Sequence, residues 1–369
     1  MKTTVNRASL PPFEEYCNEI KDLWDSHFIT NMGQKHEKLQ SALESYLGVP
    51  HVTLFSHGHL ALESILRVFN FPEGGEVITS PFTFVSTTHA IYRVGLTPVF
   101  CDVLQEDGTL DPAGIEELIT DKTVAILPVH VYGNVCDIEG IERIAEKHRL
   151  KIIYDAAHAF GVKYRGLPVV NYGDASILSF HATKIFSTIE GGAVCYRDDR
   201  LQQLLNDDKN FGIRDTETVV SAGGNGKMNE FQAAMGLCNL RHIDSLIEER
   251  RILADRYKQR LPSYIQFFKK RENTTENYAY MPVLFPTRQM RDKAFCVLSA
   301  EGIETRKYFY PLTSYVPCYQ ALPQNTPVAE DLSERVLCLP LYNGFSNVSI
   351  DLIINILQTG MLFEDTYLL

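Results

Sequence analysis

Along the first two-thirds of the chain, short apolar runs alternate with stretches in which apolar residues recur every three or four positions. The runs are "VTLFS" (52–56), "EVITSP" (76–81), "TPVFCDV" (97–103), "VAILPVHVYG" (124–133), "KIIYDAA" (151–157), "ASILSF" (175–180) and "GAVCY" (192–196). They are rich in β-branched residues and too short for helices, so they read as strands. "DPAGIEELIT" (111–120) and "DIEGIERIAEKHRL" (137–150) are of the second kind; in the latter Ile138, Ile141, Ile144 and Ala145 share one helical face. Strands that stay apolar on both sides, alternating with amphipathic helices, predict a mostly parallel sheet covered on both faces. Ligands in such a sheet bind beyond the carboxyl ends of the strands.

The pattern changes near residue 236. "LCNLRHIDSLIEERRILADRYKQRL" (237–261) reads as one long charged amphipathic helix, and the remainder mixes short strands and helices. The expected organisation is a large α/β domain over 1–236, a connecting helix over 237–261 and a small α+β domain over 262–369.

The 369 residues, 45% hydrophobic and 22% charged, suffice for a large core. The net charge of −11 is spread along the chain without a basic block, which argues against a nucleic-acid surface. No apolar run approaches the roughly 20 residues of a membrane span, and the start, "MKTTVNRASLPPFEEYC", lacks the apolar centre of a secretion signal. The eight cysteines lie singly, without metal-ligand or disulfide-framework spacing. A reducing cytoplasm is the expected location, with no metal.

Candidate chemistry begins at "SFHATKIFSTIEGGA" (179–193), where Lys184 sits among Phe180, His181, Ile185 and Phe186. It is either an ordinary strand-end lysine or an amine withdrawn from water, and desolvation moves an amine toward its neutral, nucleophilic form. In "YDAAHAFG" (154–161), Asp155 closes an apolar strand, where a carboxylate is costly unless paired. One fitting partner is a protonated pyridine nitrogen, with His158 toward a phenolic oxygen; the alternative is a turn cap and a structural histidine. In "FSHGHLALESIL" (55–66), Gly58 stands at a strand-to-helix turn suited to an anion, although such turns often hold glycine without a ligand. In "SPFTFVSTTHAIYRVG" (80–95), Phe82 and Phe84 offer flat faces to a heteroaromatic ring or simply pack in the core. Taken together, an amine, a strand-end aspartate and a phosphate-type turn are the parts that hold pyridoxal 5′-phosphate.

At this point the chain resembles the DegT/DnrJ/EryC1/StrS family of pyridoxal-phosphate sugar aminotransferases. The likeness is carried by "ITNMGQKHEKLQSALESYLGV", "SPFTFVSTTHAI", "PVHVYGNVCDIEGI", "IIYDAAHAFG", "LSFHATKIFSTIEGG", "GGNGKMNEFQAAMG", "GIETRKYFYPL" and "SERVLCLPLYN", in the family's order. The resemblance implies an aspartate-aminotransferase-like, fold type I architecture. It implies Lys184 as the Schiff-base lysine, Asp155 as the pyridine-nitrogen partner, His158 near the phenolic oxygen and Phe84 stacked on the ring. Gly58, His59 and Ser179 match the phosphate cup. Asn225 matches a residue that reaches the phosphate from the neighbouring subunit, which implies a homodimer with shared sites. By family position, Arg306, Lys307, Tyr308 and Tyr310 are candidates for contacting the nucleotide, with packing under the small domain the alternative for Tyr308 and Tyr310. The implied reaction moves the amino group of L-glutamate to the C4 ketone of dTDP-4-dehydro-6-deoxy-D-glucose, for lipopolysaccharide O-antigen synthesis. The same motifs admit a 3-keto substrate, the galacto product, or a non-catalytic relative of the fold. Lys184 argues against the branch of the family that carries histidine there and dehydrates its substrate.

Two positions depart from the family pattern. His59 replaces a threonine, keeping the backbone amide and offering the imidazole as a donor of its own. Asn343 replaces a proline in "PLYNGFS".

Overall fold

The computed structural model describes residues 3–319 and 325–359. Its centre is a seven-stranded sheet built from β1 (His51–Phe55), β2 (Glu76–Thr79), β3 (Thr97–Phe100), β4 (Thr123–Leu127), β5 (Lys151–Asp155), β6 (Ala175–Ser179) and β7 (Gly192–Tyr196). The spatial order is β1-β7-β6-β5-β4-β2-β3, and only β7 runs antiparallel to its neighbours. All seven expected strands are present. The run at 124–133 ends as a strand at Leu127, and residues 131–133 form a single 3-10 turn after Pro128, which has no N–H to continue a ladder.

Consecutive strand residues serve opposite cores. Leu54, Ile126, Ile152 and Leu178 pack on one face with α1 (Gln34–Leu47) and the helix Ile138–His148. Phe55, Leu127, Ile153 and Ile177 pack on the other with α2 (Gly58–Val68) and α3 (Val85–Arg93). The side-chain period of two puts apolar residues on both faces, and this is why the runs carry no polar interruption. The expected helix over 111–120 is reduced to a 3-10 turn and one α-turn, Ile115–Leu118, in which only Ile115 is buried.

The connecting helix, α4, spans Glu230–Arg260 and therefore starts seven residues before the expected boundary. Asn229 Oδ1 accepts from the Gln232 N–H and Gln232 Oε1 accepts from the Asn229 N–H, a reciprocal cap. The first turns lie in the large domain, where Ala233 joins the sheet core, and Leu253, Ala254 and Tyr257 belong to the small domain's core. One helix of about 46 Å thus serves both. The small domain pairs β8 (Met281–Leu284) with β9 (Val336–Leu339) antiparallel beneath the helices Arg288–Ala300 and Asn347–Thr359. The first described residues run along this domain rather than the large one: Thr3 exchanges backbone hydrogen bonds with Gly302 and Glu304, and Val5 accepts from Leu341. Among the described residues, no helix is long and apolar enough to cross a membrane.

The Asn343 side chain is fully engaged. Its Oδ1 accepts from Arg250 Nε (2.8 Å) and Ser9 Oγ (3.0 Å), and its Nδ2 donates to the Leu246 carbonyl and to Glu249 (both 2.9 Å). It bridges α4, the N-terminal segment and the small domain. Arg250 is buried, and burial holds its guanidinium down to about 10. Replacing Asn343 by alanine removes the acceptor for a buried cation, so we expect a loss of roughly 2–3 kcal/mol in stability, read from the chemical-denaturation midpoint with an unchanged far-UV circular dichroism spectrum.

Candidate active site

The carboxyl ends of β5 and β6 open into a cavity of about 300 Å³. Its key side chains arrive there for local reasons. After β6, Phe180, Ile185 and Phe186 bury themselves, with Phe186 stacked on Phe160 (4.4 Å between ring centroids) and edge-on to Phe180 (4.9 Å). The Lys184 N–H donates to the His181 carbonyl (2.8 Å) and the Thr188 N–H to the Phe180 carbonyl (2.9 Å), closing a compact loop. The aromatic neighbours anchor this loop, and the lysine side chain extends into the cavity, where Nζ lies 3.1 Å from the Tyr280 hydroxyl. Burial moves the Lys184 amine down to about 8, against the opposing charge of Asp155.

Asp155 ends β5. Burial raises its carboxyl, while the Ala157 N–H (3.0 Å), the Thr87 hydroxyl (2.8 Å) and the charge of Lys184 favour the ionised form. His158 Nδ1 accepts from the Tyr132 N–H (3.1 Å), so its hydrogen sits on Nε2. Burial keeps this ring neutral. It lies parallel to Phe309 (5.8 Å, 2°) and edge-on to Tyr280 (4.7 Å).

Gly58 opens α2 against the sheet. A Cβ there would sit 2.9 Å from Ser179 Cβ, and one on Gly192 would sit 2.4 Å from Gly58 Cα, so backbones meet where side chains would not fit. Phe84 immediately precedes α3, is 53% exposed and lines the cavity, leaving a flat apolar face uncovered. Two helix N-termini therefore open on one rim, a setting that favours an anion.

Lys184, Asp155, Gly58, His59, Phe84, His158, Ser179 and Tyr308 thus meet in one cavity. The other expected residues lie outside its walls. Arg306 pairs with Glu304 (2.7 Å), Lys307 pairs with Asp292 above the Phe295 ring, and the Tyr310 hydroxyl accepts from Arg288 (3.1 Å). Asn225 is exposed and bridges to the backbone of Asn210. His59 is not a free donor, because its ring is held by Ser86 and Glu63. Sequence reasoning missed Tyr280 and Phe309, which come from the small domain and carry no spacing signal. It also missed Thr87, whose position three residues after Phe84 places it on the helix's inner face.

The donor set fits pyridoxal phosphate. A desolvated amine, a buried carboxylate that lacks a cation beyond Lys184, an imidazole N–H, an open aromatic face and an anion-directed rim are present together, at the edge of a doubly covered sheet. Fold and site define a fold type I, pyridoxal-phosphate-dependent aminotransferase. The chain belongs to the DegT/DnrJ/EryC1/StrS aminotransferase family, whose model matches residues 13–358. It is 40% identical to a dTDP-4-amino-4,6-dideoxy-D-glucose transaminase of Escherichia coli over 93% of this chain and 94% of that one. It is 35% identical to a GDP-perosamine synthase of Escherichia coli O157:H7 over 90% and 91%. Spr1654 of Streptococcus pneumoniae, solved in its PMP form, superposes with a TM-score of 0.92 at 26% identity, covering 98% of each chain.

The depressed Lys184 amine yields a test in the full-length protein freed of cofactor. Competitive acylation followed by peptide mass mapping should give Lys184 half-maximal reactivity near pH 8, against about 10.4 for an ordinary surface lysine.

Proposed function

We propose that this sugar aminotransferase converts dTDP-4-dehydro-6-deoxy-D-glucose and L-glutamate into dTDP-4-amino-4,6-dideoxy-D-glucose and 2-oxoglutarate. The product is destined for O-antigen synthesis. The observation that carries the catalytic reading is the juxtaposition, in one buried cavity, of Lys184 with an amine at about 8 and Asp155 at the end of β5. The similarity to the dTDP-linked transaminase supports the particular substrate.

The cofactor supplies an electron sink that stabilises the carbanion formed when a Cα–H bond breaks. Asp155 would hold the pyridine nitrogen protonated, its ionised form favoured by the Thr87 hydroxyl and the Ala157 N–H. His158 Nε2–H would donate to the phenolic oxygen. Phe84 would cover one ring face. The Lys184 Nζ removes the Cα proton of L-glutamate and, in the second half of the cycle, returns a proton to C4 of the sugar, working as base and then acid near its own pKa. Small-domain residues Tyr280, Tyr308 and Phe309 close the far wall and exclude water.

The enzyme works as a homodimer in this reading, with Asn225 reaching the phosphate in the partner's cavity. Asn225 is solvent-facing, and the segment before it exposes Phe211, Ile213, Val219 and Val220 at 47%, 42%, 68% and 44%. An apolar patch of this kind next to an exposed polar residue suits a subunit contact.

Incubation with L-glutamate and dTDP-4-dehydro-6-deoxy-D-glucose, followed by NMR, should give an equatorial C4 amine of gluco configuration. Large diaxial couplings of H4 would mark that product, small H4 couplings would assign the galacto product, and a lack of turnover with rapid amination of a 3-keto sugar would move the reaction to C3. Lys184→Ala should abolish turnover, and Asp155→Asn should lower kcat by roughly two to four orders of magnitude. Steady-state rates close to wild type in either variant would refute its assigned role.

A further inference from the structure

The rim of the cavity holds an imidazole with both nitrogens already engaged. His59 Nδ1 lies 2.8 Å from Ser86 Oγ, and His59 Nε2 lies 3.1 Å from Glu63 Oε1. Glu63 is buried in α2; burial pushes its carboxyl up, but Arg93, His59 and Arg67 outweigh this and hold it ionised. A carboxylate only accepts, so the 3.1 Å approach of Glu63 Oε1 favours the ring forms in which His59 Nε2 carries the hydrogen.

Nδ1 is then the variable atom. In the singly protonated ring it presents a lone pair, and the single hydrogen of Ser86 is used on it. In the doubly protonated ring, Nδ1–H donates to Ser86 Oγ, and the hydroxyl hydrogen is released to turn into the cavity that Ser86 lines. The charged and titratable groups around this pair are Glu63 and Arg67 on α2, His89 and Arg93 on α3, and His57, which pairs with Glu190. Gly58 and Val85, which begin the two helices, stand on the same rim.

We propose that His59 and Ser86 form a proton-coupled donor for the phosphate of the cofactor. Arrival of the dianion draws one proton from solvent onto His59 Nδ1, and the Ser86 O–H then hydrogen-bonds to a phosphate oxygen. The hydroxyl that the family supplies from the position of His59 is thereby supplied from the neighbouring helix, with a positive charge behind it. This inference rests on the pyridoxal-phosphate reading of the cavity.

The test is calorimetric titration of the full-length protein, freed of cofactor, with pyridoxamine phosphate at pH 7.5 in buffers of different ionisation enthalpy, which counts the protons taken up on binding. We expect wild type to take up about one proton more than His59→Thr, in which a threonine hydroxyl keeps the affinity close to wild type. Ser86→Ala should lose the same proton and bind roughly tenfold or more weakly, as expected for a hydrogen bond to a charged group. Pyridoxamine, which lacks the phosphate, should bind all three proteins alike. Equal proton counts in the three proteins, or unchanged affinity in Ser86→Ala, would overturn the relay while leaving the cofactor reading intact. Failure of wild type to bind pyridoxamine phosphate would overturn both.

Discussion

Removing two ionisable groups from water in the same place is the constraint around which this molecule is arranged. A lysine and an aspartate are each costly to bury, and each is moved by burial toward its neutral form. Lys184 and Asp155 each favour the other's charged form across the cavity. Thr87 and the Ala157 amide add hydrogen bonds to the carboxylate, and the amine donates to the Tyr280 hydroxyl. The carboxylate still lacks a cation of its own, and the chemistry of the cofactor supplies one.

The sheet makes this arrangement possible. Because β5 and β6 run parallel, their carboxyl ends deliver Asp155 and Ser179 to one edge. The antiparallel return through β7 forces the chain to turn just beyond that edge, and Phe180 and Phe186 make the turn rigid. The cavity is roofed from elsewhere: Tyr280, Tyr308 and Phe309 come from the small domain, and Asn6 comes from the N-terminal segment that pairs with it.

The sheet was readable because strands covered on both faces must be apolar throughout, and that pattern is visible in "VAILP" or "KIIYD" without further information. Lys184 and Asp155 were readable for the opposite reason, as charges in apolar company. Helix ends were less so: α4 begins at Glu230 because of a reciprocal cap between Asn229 and Gln232, a local hydrogen-bond pattern that hydrophobic periodicity does not register. Arg306 and Lys307 have the right charge for a diphosphate, but Glu304 and Asp292 already engage them, and pairing of that kind depends on tertiary neighbours. Tyr280 lies 96 residues from the lysine it meets, and His59 is tied to a serine 27 residues away. Such contacts exist only after the chain has folded.

The helix that begins under the sheet and ends inside the small domain ties the fates of the two halves together. With Ala233 in one interior, Tyr257 in the other and Arg250 clasped by Asn343 between them, loosening either interior is felt along the whole rod. Severing the chain midway would therefore yield two incomplete fragments rather than a cofactor module and a detachable lid, and recombining halves of relatives would demand that the rod be inherited in one piece.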